Sequence, residues 1–468
     1  MSSPAPIEYG SVSSINGPLL CVEEVRDVGW DETAELRLSS GEIRHGVVLE
    51  VDRDLAVVQV YEGTQGLARG EVSVAFSGGP MRIPVGESWL GRMCNGRGRP
   101  LDGGPPVQGS ELREISGRPI NPAHRRTPSE PILTGVSGVD GLATLVRGQK
   151  LPIFSVGGLP HLELAAQIAA QATVSGEPFA VVFAAMGLTN ADAAMVRDRL
   201  EERSGEGEIA VFLNTADDPL VERITTPRVA LTVAEHLAFE GGRHVLVVMA
   251  DMTSYCEAVR EIAAARREIP SRRGYPGYLY SDLASLYERA GRIQGRTGSI
   301  TQVPVLTMPG GDITHPVPDL TGYITEGQLV LTQELHVRGV YPPFDPLRSL
   351  SRLMRLGVGE GKTRSDHLEI ASQLYALIAQ SRRISDLAEV VGADALGEND
   401  RRYLRLGEAF ESRFVSQGQD ELRPLEETLA RAWAVTSMLP RQQLTMISDA
   451  AAKLYYGVHT GGGQASSG

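Results

Sequence analysis

The sequence predicts a multidomain α/β protein: an N-terminal small antiparallel β-barrel, a central domain built on a parallel sheet, and a C-terminal helical bundle. Three observations predict it. The first 72 residues alternate short apolar runs with turn signals. Between about 131 and 340, continuous apolar runs alternate with amphipathic stretches. After "YPPFDPLRSLSRL" nearly every segment carries helical periodicity.

Residues 1–72 contain "ETAELRLSSGEIRHGVVLEVDRDLAVVQVYEG", in which Ala34-Glu35-Leu36-Arg37-Leu38 and Val47-Val48-Leu49-Glu50-Val51 alternate as strands of a small barrel do. Residues 73–345 begin with a Gly- and Pro-rich stretch to about 130, "SGGPMRIPVGESWLGRMCNGRGRPLDGGPPVQG", read as a loop-heavy connection. Then "QKLPIFSV", "PFAVVFAAM", "EIAVFLNT" and "HVLVVMAD" read as buried strands. "HLELAAQIAAQATV", "NADAAMVRDRLEERS" and "RVALTVAEHLAFE" read as the helices between them. Continuous Val/Ile/Leu/Phe runs joined by helices mean a parallel sheet covered on both faces. Residues 346–458 hold "SDHLEIASQLYALIAQSRR", "ENDRRYLRLGEAFESRFVSQ", "PLEETLARAWAVTSML" and "RQQLTMISDAAAKLYYG", each expected to be helical. The tail 459–468, "HTGGGQASSG" with its lead-in, is expected to be disordered.

A net charge of −13 argues against wholesale binding of nucleic acid or of an anionic membrane. No apolar run approaches the length that spans a bilayer, and Met1-Ser2-Ser3-Pro4 opens no signal peptide. Cys21, Cys94 and Cys256 are odd in number and far apart, so they read as idle thiols in a reducing cytoplasm. The chain has three lysines, Lys150, Lys362 and Lys453; chemistry that needs a lysine must use one of these.

"GVGEGKT", residues 357–363, resembles a phosphate-binding loop. The motif requires a glycine five residues before Gly361, where this chain has Leu356. It also requires a buried strand before it, and "SLSRLMRL" is not one. A loop-to-helix junction, with Thr363 and Asp366 as cap residues, accounts for the stretch. The first strand-to-helix turn of the parallel sheet is the proper position for such a loop. There, Ser155-Val156-Gly157-Gly158-Leu159-Pro160-His161 keeps two glycines but lacks the lysine that meets phosphate and the hydroxyl that meets magnesium. Asp251, ending "HVLVVMAD", stands where an acidic residue assists magnesium, but it also suits a helix cap. "FAAMGLTN" offers no carboxylate as general base. The central domain is therefore expected to be of the phosphate-loop nucleotide-binding type with a degenerate loop, in which Gly157 and Gly158 keep at most residual affinity.

Barrel, degenerate domain and helical end, together with "LVRGQKLPIFS", "MTSYCEA", "IPSRRGYPGYLYSDLASLYERAG", "PVPDLTGYITEGQ" and "YPPFDPLRSLSRLM", closely resemble the B subunit of V-type (archaeal/bacterial V/A-type) rotary ATPases over residues 8 to 460. The resemblance implies a non-catalytic, regulatory subunit alternating with three catalytic A subunits around a rotor stalk, with peripheral stalk subunits as further partners. It implies ATP or ADP with Mg at the A–B interfaces and no cofactor held tightly by this chain. It implies a cytoplasmic complex bound peripherally to the inner face of the membrane, reached only through other subunits, and no nucleic-acid partner. In that family "SLSRL" supplies an arginine to the γ-phosphate, here Arg352, with Ser351 beside it as a nucleotide contact. From the residues alone, Arg348, Arg352 and Arg355 read as surface ion pairs; the resemblance singles out Arg352, with the other two as neighbours in register. Tyr323 and Glu326 lie beside the interface in the family, with packing as their default role and a nucleotide-edge contact as the alternative. "SRRGYPGYLY", basic with aromatics, becomes an inter-subunit loop; His315 is expected to be a loop hydrogen bonder, and the other histidines show no metal spacing. A self-sufficient ATPase relying on Lys362, or a purely structural ring subunit, are the alternatives.

Overall fold

The computed structural model describes residues 7–457; the tail expected to be disordered lies outside the described residues. Seven antiparallel strands, from Glu8–Tyr9 to Val72–Pro80, form the barrel sheet. On Glu32–Leu38, Ala34 and Leu36 turn into a core with Val22, Val48, Val58 and Val74, while Glu35 and Arg37 face outward. Period-two alternation on a one-sided sheet requires this. A boundary at residue 72 would cut the barrel, because Val72–Pro80 pairs with Glu32–Leu38 and Glu8–Tyr9. Its Gly78-Gly79-Pro80 end mimics a loop, yet Val72, Val74 and Phe76 complete the barrel core.

Among the described residues, ten strands form the central sheet. Its parallel part runs Gly327–Val330, Ile153–Ser155, Ser299–Thr307, His244–Ala250, Phe179–Leu188, Ile209–Thr215, Met93–Asn95. Both faces are covered, which explains the continuous apolar runs. Val181, Phe183 and Ala185 enter one core beneath the helices His161–Gln171 and Asn190–Gly205. Val182, Ala184 and Met186 enter the other, beneath Leu220–Phe239 and Met252–Ala265. Three strands of this sheet fall outside the expectation. Met93–Asn95 and Arg125–Arg126 come from the stretch read as connection, and Leu350–Ser351 lies beyond residue 345, pairing antiparallel with Gly327–Val330. Each is two or three residues long and carries no periodic signal.

The helices His367–Val391, Glu398–Ala409 and Leu425–Thr436 pack beside the first core. The fourth expected helix does not form as one piece. A 3₁₀ turn, Arg441–Gln443, precedes a short helix, Asp449–Tyr455. The Arg441 guanidinium holds the intervening loop, donating to Leu444 O, Ile447 O and Asp449 Oδ1 at 2.8, 3.0 and 2.8 Å.

His367 opens the longest helix fully buried, its ring nitrogens against Thr363 Oγ1 (3.2 Å) and Gly141 O (3.1 Å). Burial pushes its pKa down to about 4. A histidine whose folded pKa is depressed contributes stability present above its unfolded pKa, near 6.5, and lost as pH falls from there towards 4. The loss amounts to about 3 kcal/mol. Buried Asp140 works oppositely, its pKa raised by burial to about 6. Comparing His367→Gln with the parent chain isolates the histidine: its unfolding midpoint should fall less steeply between pH 6.5 and 4.

Candidate functional site

Arg352 follows the edge strand Leu350–Ser351. The helix Pro316–Ile324 ends at Thr325, whose Oγ1 donates to Thr321 O at 2.9 Å. The next strand starts at Gly327, with φ at 144°, where an added β-carbon would run into the Leu350 carbonyl. Glycine is required there for the two strands to meet. Arg352 N then donates to Glu326 O at 3.0 Å, and Arg352 Nη1 reaches Thr325 O at 3.4 Å. The guanidinium is exposed and makes no ion pair among the described residues. Arg348 by contrast pairs with Asp345 at 3.5 Å. Arg355 is likewise exposed and in no ion pair among the described residues, on the helical turn Met354–Gly357 after the sheet edge.

The neighbours sort differently from the sequence reading. Tyr323, in the last turn of the helix Pro316–Ile324, is 74% exposed and packs against little of its own chain. Glu326 turns inward, its carboxylate accepting from Lys150 N at 2.8 Å and from Lys150 Nζ at 2.9 Å. Ser351 is corrected as a nucleotide contact. It is buried, and its hydroxyl donates to Thr144 O at 2.9 Å and accepts from Gln149 Nε2 at 3.0 Å. Strand alternation requires this, since exposed Arg352 forces its predecessor to the opposite face.

At the Gly157-Gly158 turn, no atom lies within 4 Å of a β-carbon added at either glycine, and Gly158 has φ at 85°. A cavity of about 630 Å³ opens there, lined by His161, Glu163, Asp192, Asp251, His336 and Tyr341, and by no lysine or arginine among the described residues. The His161 ring nitrogen Nδ1 lies 2.8 Å from Leu159 O. Asp251 caps the helix Met252–Ala265, accepting from Thr253 N at 2.8 Å and from Thr307 Oγ1 at 3.0 Å. Burial raises its pKa, opposed by those hydrogen bonds. These residues do not fit a magnesium–triphosphate group.

None of the three lysines reaches the turn. Lys150 is buried between Glu288 and Glu326, 2.9 Å from each. Lys362 Nζ donates to Leu356 O of its own loop at 2.7 Å, and Lys453 is exposed on the last helix. Neither Thr363 nor Asp366 caps the following helix by its side chain. Thr363 Oγ1 accepts from Gly359 N at 2.8 Å, and Asp366 accepts from the Trp433 indole at 2.6 Å.

The basic loop is neutralised: Arg272 meets Asp319 at 2.8 Å and Arg273 meets Asp312 at 2.7 Å. His315 caps the helix Pro316–Ile324 through Val317 N. Histidines meet carboxylates that spacing did not reveal: His45 faces Glu62, His244 faces Glu177, and Glu111 and Glu240 gather around His236, where Arg113 bridges the two carboxylates.

Over 451 residues, 96% of this chain and 97% of the relative, the sequence is 55% identical to the B subunit of the A-type ATP synthase of Aeropyrum pernix. The chain belongs to the B-subunit family of V/A-type ATP synthases. The family signatures divide as the fold does. Residues 12–78 match the ATP synthase alpha/beta family, beta-barrel domain, and 135–351 the nucleotide-binding domain of the same family. Residues 356–456 match the C-terminal domain of V and A type ATP synthase. A solved structure, described as a unique ATP synthase subunit NeqB from Nanoarcheaum equitans, superposes with a TM-score of 0.71 at 38% identity, covering 90% of this chain and 100% of that one. In this B-family chain the match to the nucleotide-binding domain ends at Ser351, one residue before the unpaired arginine. Among its described residues, no helix is long and apolar enough to cross a membrane.

Proposed function

We propose that this B-type chain is non-catalytic and lends Arg352 to nucleotide held by a catalytic A-type subunit. Three copies would alternate with three A-type subunits, with rotor and peripheral stalks completing a complex on the cytoplasmic face of the membrane. The observation that carries the reading is the exposed guanidinium of Arg352, without an ionic partner among the described residues, on a braced sheet edge. A guanidinium is permanently charged, planar and bidentate, which suits phosphoryl oxygens presented by another chain. The phosphate turn of this chain lacks both a cation and a hydroxyl at the required positions, so lysine and metal-ligand chemistry must come from the partner. Tyr323, exposed beside the same edge, would lie against the partner or its nucleotide.

ATPase assays test this with the chain alone, the A-type subunit alone, and the mixture. Turnover is expected only where the A-type subunit is present and is greatest in the mixture; Lys362→Ala leaves the mixture unchanged. Hydrolysis by this chain alone, abolished by Lys362→Ala, would establish a self-sufficient ATPase instead. Assembly with no gain in rate would leave a ring scaffold.

A further inference from the structure

We infer that Gln149 is a positioning residue for Arg352, acting through the two strands that carry it; this rests on Arg352 serving a nucleotide on a neighbouring chain. Gln149 has no exposed surface. Its amide nitrogen donates to two acceptors at once, Glu326 O and Ser351 Oγ, each at 3.0 Å. Its amide oxygen accepts from Val146 N at 3.0 Å. Glu326 O is the same carbonyl that accepts from Arg352 N. Ser351 is the residue immediately before the arginine. One planar amide therefore joins both sides of the arginine's base to the segment Val146–Lys150.

The ladder between those strands cannot do this alone. It consists of two residue pairs, Gly327 with Ser351 and Gln328 with Leu350. Leu350–Ser351 is the outermost strand of the sheet, so nothing pairs with it on its other side among the described residues. Further fixation comes from the same segment: Glu326 N donates to Lys150 O at 3.0 Å, and Lys150 clamps the Glu326 carboxylate. Lys150 also serves Glu288, so its removal would disturb more than this edge. Gln149 carries no charge and, beyond this edge, serves only Val146 N of its own turn, which makes it the more informative position. Serine, a backbone carbonyl and a backbone N–H all meet the one amide. Its two N–H donors and one carbonyl acceptor match that set, whereas an apolar side chain of equal length leaves all three without this partner.

An arginine that acts on another chain's phosphate must be held to within about half an ångström, and a displacement of about 1 Å can cost on the order of 10²-fold in rate. The long guanidinium side chain is exposed, so its base sets where it can reach.

The test uses the assembled ring with its catalytic A-type partner, comparing Gln149→Met, Arg352→Ala and the double variant. Gln149→Met is expected to lower kcat by about 10- to 100-fold with KM nearly unchanged. In the Arg352→Ala background it should lower kcat by less than about twofold, because no guanidinium remains to position. A purely structural role would reduce yield or midpoint without that dependence on Arg352. Equal losses in both backgrounds, or an unchanged kcat in the assembled Gln149→Met ring, would overturn the inference while leaving the role of Arg352 intact. If Arg352→Ala itself costs nothing, the proposed function fails and takes this inference with it. Should Gln149→Met not assemble, Ser351→Ala reads the same coupling, with a smaller loss expected in the parent and none beside Arg352→Ala.

Discussion

Replacing Arg352 by alanine is expected to lower ATP turnover of the assembled ring by about 10³-fold or more, with the ring still forming. Arginines supplied to a transferring phosphoryl group contribute about 10³–10⁵ in rate, or roughly 4–7 kcal/mol of barrier. The loss should appear in kcat, because charge on the phosphoryl oxygens is redistributed in the transition state. Assembly should survive because the side chain is exposed and its ordered partners are backbone groups: Arg352 N, kept in the alanine variant, holds Glu326 O. Arg352→Lys should recover only part of the rate, since ammonium is a point charge without the bidentate fork. Arg348→Ala, which removes a pair with Asp345, serves as the control. Steady-state kinetics on rings checked by size-exclusion chromatography decide it; near-parental turnover in Arg352→Ala removes the proposed role.

The largest stability effect is expected at Trp433. Its side chain has no exposed surface, and its indole nitrogen donates to Asp366 Oδ2 at 2.6 Å. The same carboxylate accepts from Arg364 at 2.6 and 2.8 Å. Arg364 in turn lies 4.1 Å from the centre of the Tyr455 ring, which also contacts Trp433. The cluster ties the helices His367–Val391, Leu425–Thr436 and Asp449–Tyr455 together. Trp433→Ala should cost about 3–5 kcal/mol through lost burial and the cavity left behind. Trp433→Phe keeps most of the volume and removes one hydrogen bond to the Asp366 carboxylate, whose Oδ2 keeps Arg364 Nη2, costing about 1–3 kcal/mol. Thermal or urea unfolding followed in the C-terminal helices should rank the variants in that order. A midpoint for Trp433→Ala equal to that of the phenylalanine variant would refute the account.

The barrel and the parallel sheet were legible because each rests on local periodicity. Alternation on Glu32–Leu38 and the unbroken run of Phe179–Leu188 report directly whether one face or two are buried. Short edges were not legible: Met93–Asn95 and Leu350–Ser351 are defined by the strands they meet, not by a pattern of their own. The fourth C-terminal helix was overread because apolar residues at helical spacing also serve a loop held by Arg441. In the candidate site, the missing lysine and hydroxyl at Ser155–His161 and the mismatched spacing of "GVGEGKT" were visible directly as residue types. Arg352 emerged from resemblance, since an exposed arginine has no local signature of function.

The sequence by itself determined the layered architecture and which residue types stand at the Ser155–His161 turn, because burial periodicity and side-chain chemistry are properties of short stretches. Tertiary structure alone decided the partners of the groups around the site. Asp366, expected to cap its own helix, instead takes Trp433 from 67 residues away, and Ser351 turns inward to Gln149 across 202 residues. A polar group removed from water bonds to whichever donor or acceptor the packed chain brings within about 3 Å, and separation along the sequence does not enter that choice.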